Sequence, residues 1–164
     1  MKKLLIAIIA VLVFGTIEET KAQFSVGPGL GYATDIGSLG ISANVGYHIN
    51  DEWAASGAFT YFLEQDYVKW SALDFNANYT FTELENVGAL YGIGGLNITM
   101  VKVDIPGLSE FWGTSSTTES NVGLNIGAGL NVDLSEKMVL APELTYTVSS
   151  GGYLRAGVKL MFNL

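Results

Sequence analysis

The sequence predicts an all-β protein: an eight-stranded antiparallel up-and-down transmembrane β-barrel, preceded by a cleaved signal peptide. Two observations lead to this prediction. Apolar residues alternate with small or polar ones along most of the chain, as in Asn121–Leu134, where every second residue from Val122 onward is apolar. Successive side chains of a strand point to opposite faces, so such a segment has one apolar and one polar face. The second observation is a short basic and apolar segment at the start of the chain.

This first segment has the layout of a secretory signal. Two lysines precede the apolar run Leu4–Phe14, which is too short to cross a bilayer as a helix because a crossing takes about 20 residues. Thr20 and Ala22 then place small residues where a signal peptidase reads them. We therefore expect residues 1–22 to be removed and residues 23–164 to form one barrel domain.

Eight alternating segments follow, and polar or glycine-rich turns separate them. The predicted strands are Phe24–Thr34, Leu39–Ile49, Trp53–Leu63, Lys69–Phe81, Val87–Val101, Asn121–Leu134, Met138–Val148 and Tyr153–Leu164. In the fifth strand the large residues change parity near Gly94 and Gly95. Tyr91 and Ile93 lie before the change and Leu96 lies after it. A β-bulge at the glycine pair would explain the change.

The connections also follow a pattern. The second, fourth and sixth are short and carry acidic residues, whereas the longest connection, residues 102–120, is odd-numbered. An even number of strands, with short turns at one end and a longer loop at the other, is typical of an up-and-down transmembrane barrel.

The polar face is predicted to line the interior. Eight strands enclose a lumen that is just wide enough to be filled by side chains, which suits small and polar residues. With a turn at 149–151, Glu143 lies opposite Gly157 and diagonal to both Arg155 and Lys159, so enclosed charges have partners of opposite sign. We expect a polar and charged network in the lumen: Asp74, Asn76, Asn78, Glu143, Arg155 and Lys159.

Aromatic residues gather near the strand ends, as expected for two girdles at the bilayer interfaces. The predicted members at one end are Phe24, Tyr47, Trp53, Phe81 and Phe162, and those at the other end are Tyr32, Tyr61, Trp70, Tyr146 and Tyr153. Ordinary enrichment of aromatic residues in strands is the alternative explanation.

Taken together, the signal segment, the eight alternating strands and the amphipathic end Val158–Leu164 resemble the small outer-membrane β-barrel proteins of Gram-negative bacteria, the OmpX-like and OmpA-transmembrane-like group. The resemblance covers Gln23–Leu164. It implies location in the cell outer membrane, with outer-membrane lipid around the barrel and short turns in the periplasm. It also implies the outer-membrane assembly machinery as a partner during biogenesis.

Composition excludes several classes of function. The chain has no cysteine, so disulfides and thiolate metal sites are excluded. After removal of the signal, five basic and fourteen acidic residues leave a formal charge of −9, which argues against a nucleic-acid partner. The single histidine, His48, lies on the polar face beside a short turn and has no evident serine partner. We expect no catalytic residue, no metal site and no cofactor.

The loop at residues 102–120 is the best candidate for a specific contact. It carries four apolar residues on a projecting connection: Ile105, Leu108, Phe111 and Trp112. They either fold onto the barrel rim or contact a surface protein partner, since exposed apolar patches tend to mark contact sites.

These observations favour a non-enzymatic outer-membrane barrel with a structural or surface-interaction role and a lumen plugged by side chains. A channel for a small solute or a hydrophobic ligand is an alternative, because lumen glycines leave room. A soluble, exported, lipocalin-like ligand-binding barrel is a second alternative, in which the apolar face would point inward.

Overall fold

The strands form one closed antiparallel barrel. The computed structural model describes residues 24–64, 68–85, 87–104 and 116–164. The strands are β1 (Phe24–Ala33), β2 (Ser38–His48), β3 (Trp53–Phe62), β4 (Val68–Leu84), β5 (Gly88–Asp104), β6 (Ser116–Ser135), β7 (Met138–Val148) and β8 (Tyr153–Asn163). Each strand pairs with its neighbours in chain order, and β8 closes the barrel on β1. The predicted fold class is confirmed.

Strand lengths differ from the prediction at both ends of the barrel, and β4 runs to Leu84, past its predicted end at Phe81. β5 and β6 stay paired as far as Asp104 and Ser116, so part of the predicted loop 102–120 is a hairpin extension. The signal segment and the apolar loop residues Ile105, Leu108, Phe111 and Trp112 lie outside the described residues. The turns β2–β3, β4–β5 and β6–β7 share one end of the barrel, here called the short-turn end; the opposite end is the loop end.

The apolar face points outward, as predicted. On β6, the side chains of Val122 and Ile126 are 65% and 63% exposed, whereas Asn125 between them is 3% exposed. None of the described residues belongs to a helix that is long and apolar enough to cross a membrane.

The β-bulge predicted in β5 was wrong, whereas the strand itself is confirmed. The pairing of β5 with both neighbours runs through Gly94 and Gly95 without a shift. Tyr91 and Ile93 instead point inward and are 3% and 5% exposed. They fit there because the neighbouring strand places glycines opposite both of them. The shift in the β4–β5 pairing falls between Thr80 and Thr82.

Two of the predicted girdle residues also lie inside. Tyr153 is 1% exposed and belongs to a buried apolar cluster with Phe62. Trp70 packs against the same cluster. Both residues belong to the set predicted for the loop end. The cluster fills the lumen there, so these two rings are buried against apolar side chains inside the barrel and not against lipid.

Candidate functional site

The centre of the lumen is organised around Asp74 on β4, which is 1% exposed. Its Oδ2 lies 2.9 Å from Nη2 of Arg155, which reaches across from β8. Its Oδ1 accepts hydrogen bonds from Nδ2 of Asn97 at 2.8 Å and of Asn125 at 2.7 Å. A buried carboxylate is stable when its charge is paired and its remaining lone pairs are satisfied. Four strands therefore meet at this one side chain.

The hydrogen bonds continue from Asp74 towards both ends of the barrel. Asn125 also donates to Oδ1 of Asn76 at 3.0 Å and accepts from Thr147 at 2.8 Å. Asn97 donates to the hydroxyl of Tyr153 at 3.3 Å. These side chains block the middle of the lumen, although Oδ2 of Asp74 and Nη1 of Arg155 have no hydrogen-bond partner among the described residues.

A second ion pair lies closer to the short-turn end. Glu143 sits opposite Gly157 in the β7–β8 register, as the sequence predicted. Nζ of Lys159 lies 2.7 Å from Oε2 of Glu143 and donates to Oε1 at 2.8 Å. The hydroxyl of Tyr91 donates to the same Oε1 at 2.7 Å. In this structure Arg155 pairs with Asp74 and leaves Glu143 to Lys159.

Gly129 makes the contact between Tyr91 and Glu143 possible. The three residues form one row across β5, β6 and β7, with Gly129 in the middle. A Cβ at Gly129 would overlap the end of the Tyr91 ring and would lie 2.9 Å from Cγ of Glu143. The glycine thus leaves the space through which the tyrosine reaches across a whole strand.

This arrangement gives a matched pair of substitutions. We expect Gly129→Ala to destabilise the barrel by about 1–3 kcal/mol, because it overpacks a filled interior. Gly94→Ala is the control, since Gly94 is exposed and a Cβ there meets no atom within 4 Å. Denaturant unfolding in lipid vesicles measures both. Equal effects of the two substitutions would contradict this role for Gly129.

An apolar cap closes the lumen at the loop end. It consists of the buried residues Ala33, Phe62, Ala72 and Tyr153, with Ile36 and Trp70 packed against them. The rings of Phe62 and Tyr153 meet edge to face, with centroids 6.3 Å apart. Because the hydroxyl of Tyr153 contacts the Asp74 network, the cap and the network form one continuous plug.

Described residues line two cavities along the lumen below the cap. A small one of about 30 Å³ lies between the two ion pairs and is lined by Asp74, Arg155, Glu143 and Lys159. A larger one of about 250 Å³, here called the vestibule, extends from Glu143 and Lys159 to the short-turn end. His48 lines the vestibule and is exposed. Among the described residues, no three Asp, Glu or His side chains converge as metal ligands would.

The sequence analysis missed several residues of the plug. Asn97, Tyr91 and Phe62 were not proposed as lumen residues, although Asn97 shares the parity of Tyr91 on β5. Of the residues that were proposed, Asn78 lies towards the vestibule and donates to Ser56 at 3.2 Å. Alternation along each strand could have identified these residues, because every second side chain points into the lumen even where it is large.

Comparison with known proteins identifies the family. The family described as the outer membrane protein beta-barrel domain matches residues 5–162. The chain belongs to this family. It is an outer-membrane barrel, and its exposed apolar belt faces lipid. In such barrels the short turns are periplasmic and the longer loops are extracellular.

Solved structures show the same fold at low sequence identity. The N-terminal barrel domain of OprF from Pseudomonas aeruginosa is 18% identical, with a TM-score of 0.70 and coverage of 88% of this chain and 98% of that one. Neisserial surface protein A is 16% identical, with a TM-score of 0.70 and coverage of 89% and 100%. Ail, the attachment invasion locus protein of Yersinia pestis, is 21% identical, with a TM-score of 0.55 and coverage of 85% and 96%. No curated protein matches the chain.

Proposed function

We propose that this outer-membrane barrel is non-enzymatic and closed to solutes, and that its role is structural or lies in contacts at the cell surface. The observation that carries the proposal is the continuous plug. The Asp74–Arg155 pair and its amide partners occupy the centre of the lumen, and the Phe62–Tyr153 cap closes the loop end. A solute would have to break a buried ion pair and displace an apolar cluster to pass.

Planar-bilayer recording tests the closed lumen. We expect the mature barrel to show no stable conductance, because two ion pairs and the cap lie in series along the axis. The same preparation should migrate on gels as a heat-modifiable barrel, which shows that the absence of conductance is not caused by a failure to fold. A stable open state would overturn the closed-lumen proposal.

A narrow channel for small solutes is the second candidate. The vestibule and the small cavity share Asn44, Glu143 and Lys159 as lining residues, so the Glu143–Lys159 pair is a thin partition between two spaces. The central network and the cap still lie beyond that partition, which is why we favour the closed barrel. The soluble alternative is wrong, because the apolar face points outward and the chain belongs to an outer-membrane family.

The contact role is supported by a sheet that extends past the rest of the barrel at the loop end. β4, β5 and β6 remain paired there as far as Val68, Val103 and Ser116. The pairing of β6 with β7 ends earlier, at Leu124 with Val148. Within the described part of the chain, no strand pairs with this edge of β6 before Leu124, and such an edge can bind an extended segment of a partner protein. We propose that loop residues 102–120, with Ile105, Leu108, Phe111 and Trp112, are part of the same surface.

The charge of this surface differs from what a polyanion would need. Ail has been solved with the heparin analogue sucrose octasulfate. Between residues 102 and 120 the present chain has three acidic residues and one basic residue, Lys102, so the loop carries a net negative charge. We therefore propose a protein partner for this surface and not a sulfated sugar.

We also propose that residues 1–22 are a signal peptide and that the mature chain begins at Gln23, since export is required for a protein of the outer membrane. Outer-membrane assembly machinery would then act on residues 23–164.

A further inference from the structure

The seam between β1 and β8 differs from the other seams of the described barrel. Those seams join strands that follow one another along the chain, and the connection between two such strands helps to fix their register. β1 and β8 are the first and the last strand, so no connection constrains how they pair. Another interaction must select the observed register, in which Gly29 lies opposite Lys159 and Ala33 lies opposite Arg155.

The two strands select this register only weakly by themselves. The inward residues of β1 are all small: Ser25, Gly27, Gly29, Gly31 and Ala33. Because side chains alternate with a period of two, a slip by two residues keeps every side chain on its own face. After such a slip in one direction, Arg155 would lie opposite Gly31 and Lys159 opposite Gly27, so a glycine would still leave room for each of them.

The Glu143–Lys159 pair does not select the register of this seam either. Both residues belong to the β7–β8 hairpin, in which Glu143 lies opposite Gly157. When the hairpin is displaced along β1, the two residues move together and their ion pair persists. The hydrogen bond from Tyr91 to Glu143 joins β5 to β7, and neither of these strands belongs to the seam.

The Asp74–Arg155 pair is sensitive to the register because it crosses the lumen from β8 to β4. The amides of Asn97 and Asn125 hold Asp74 in place. A slip by two residues would displace β8 along β1 by about 7 Å, whereas Nη2 of Arg155 lies 2.9 Å from Oδ2 of Asp74. A slipped barrel would therefore separate two buried charges, which is costly.

Tyr153 adds a less specific preference. Its ring packs edge to face against Phe62 on β3, with centroids 6.3 Å apart, so this contact also spans the lumen. Apolar contact has no directional requirement. The hydroxyl of Tyr153 lies 3.3 Å from Nδ2 of Asn97, which is longer than either amide contact of Asp74. The ion pair is the more demanding of the two cross-lumen contacts.

We propose that the buried Asp74–Arg155 ion pair selects the register in which β8 closes the barrel on β1. The pair that plugs the lumen then also ensures that the barrel closes in one way. Specifying a register is a known role of buried polar groups. The proposal depends neither on the surface-contact role nor on the absence of conductance.

Amide–amide contacts across the seam report its register, and NMR of the mature barrel in micelles measures them. In the wild type we expect a contact between the amides of Leu30 and Val158, which lie opposite each other. A slip by two residues would replace it with a contact from Leu30 to Ala156 or to Leu160, depending on the direction of the slip.

The test variant is Asp74→Asn combined with Arg155→Gln. It removes both charges, so that neither is left buried without its partner. We expect the barrel to form but to lose its single register, so that a second set of seam contacts appears beside the wild-type set.

The matched control is Glu143→Gln combined with Lys159→Gln. It also removes one positive and one negative charge from the lumen, but both belong to the hairpin. We expect only the wild-type contact between Leu30 and Val158 in this control.

A disulfide keeps the test decisive if the Asp74→Asn, Arg155→Gln variant gives no folded barrel. Ser25→Cys and Asn163→Cys are then added to it, because these two residues lie opposite each other and the chain has no cysteine of its own. The oxidised protein is held in the wild-type register, so oxidation should restore a heat-modifiable barrel that the reduced protein does not form.

Three results would overturn the proposal. The variant without the Asp74 and Arg155 charges could show the wild-type seam contacts alone. The control could slip to the same extent, which would mean that any loss of lumen charge loosens the seam. The disulfide could also fail to restore a barrel that does not fold. Conductance is not part of these readouts, so a failure here is distinct from a failure of the closed-lumen proposal.

Discussion

Asp74→Ala should destabilise the barrel by about 3–5 kcal/mol, because it leaves the Arg155 guanidinium buried without its counter-charge. The side chains of Arg155 and Asp74 are only 15% and 1% exposed. The substitution also takes the acceptor away from Asn97 and Asn125, which both donate to Oδ1 of Asp74. Reversible denaturant unfolding in lipid vesicles gives the free energy of unfolding.

Glu143→Ala is the informative comparison. Its partner Lys159 borders the open vestibule, so water can hydrate the stranded ammonium group. We expect a cost of about 1–3 kcal/mol for this second substitution. If Asp74→Ala costs less than about 1 kcal/mol, the centre of the lumen is hydrated and the plug is not dry.

Ile126→Lys should cost about 2–4 kcal/mol in a bilayer, because it places a charge on the lipid face near the middle of a strand. Ile126 is 63% exposed and pairs with Gly94 and Tyr146 across the neighbouring strands. In a barrel surrounded by water the same substitution would be close to neutral, so the experiment distinguishes the two environments of the apolar belt.

The control for this prediction is a lysine on the same face at a different depth in the membrane. Leu134 has the same parity as Ile126 but lies at the short-turn end of β6 and is 51% exposed. We expect Leu134→Lys to cost about 0–1 kcal/mol, since a long side chain near the interface reaches water. Unfolding of both variants in the same vesicles measures the difference, and equal costs would mean that the outer face is not graded by membrane depth.

The register of two adjacent strands could be predicted from the sequence, because it depends on the length of the turn that joins them. The position of Glu143 opposite Gly157 follows from the length of one turn, and the structure has that register. The pairing of Asp74 with Arg155 joins β4 to β8, which are not neighbours in the sheet. Their contact exists because the sheet closes on itself, and no spacing along the chain encodes that distance.

The inward positions of Tyr91 and Tyr153 were also not predictable from the sequence, because they depend on packing between strands. Hydrophobicity assigned both to the outer face or the girdles, since large rings are expected to crowd an eight-stranded lumen. Tyr91 fits inside because Gly129 lies next to it and Glu143 accepts a hydrogen bond from its hydroxyl. Tyr153 fits because Phe62 and Ala33 surround it. The space for each ring is formed by residues of other strands, so the local sequence around each tyrosine does not reveal it.

The amino-acid sequence by itself determined the eight strands, the outward apolar face and so the location of the protein in the outer membrane. The strands follow from a two-residue period that each of them carries locally. The outward apolar face follows from the narrow lumen of eight strands, and the location follows from the resemblance to outer-membrane barrels. Barrel closure determined which charges pair, where the plug lies and that a carboxylate-lined vestibule faces the short-turn end. Those features depend on distances across the lumen, and such distances exist only once β8 has paired with β1.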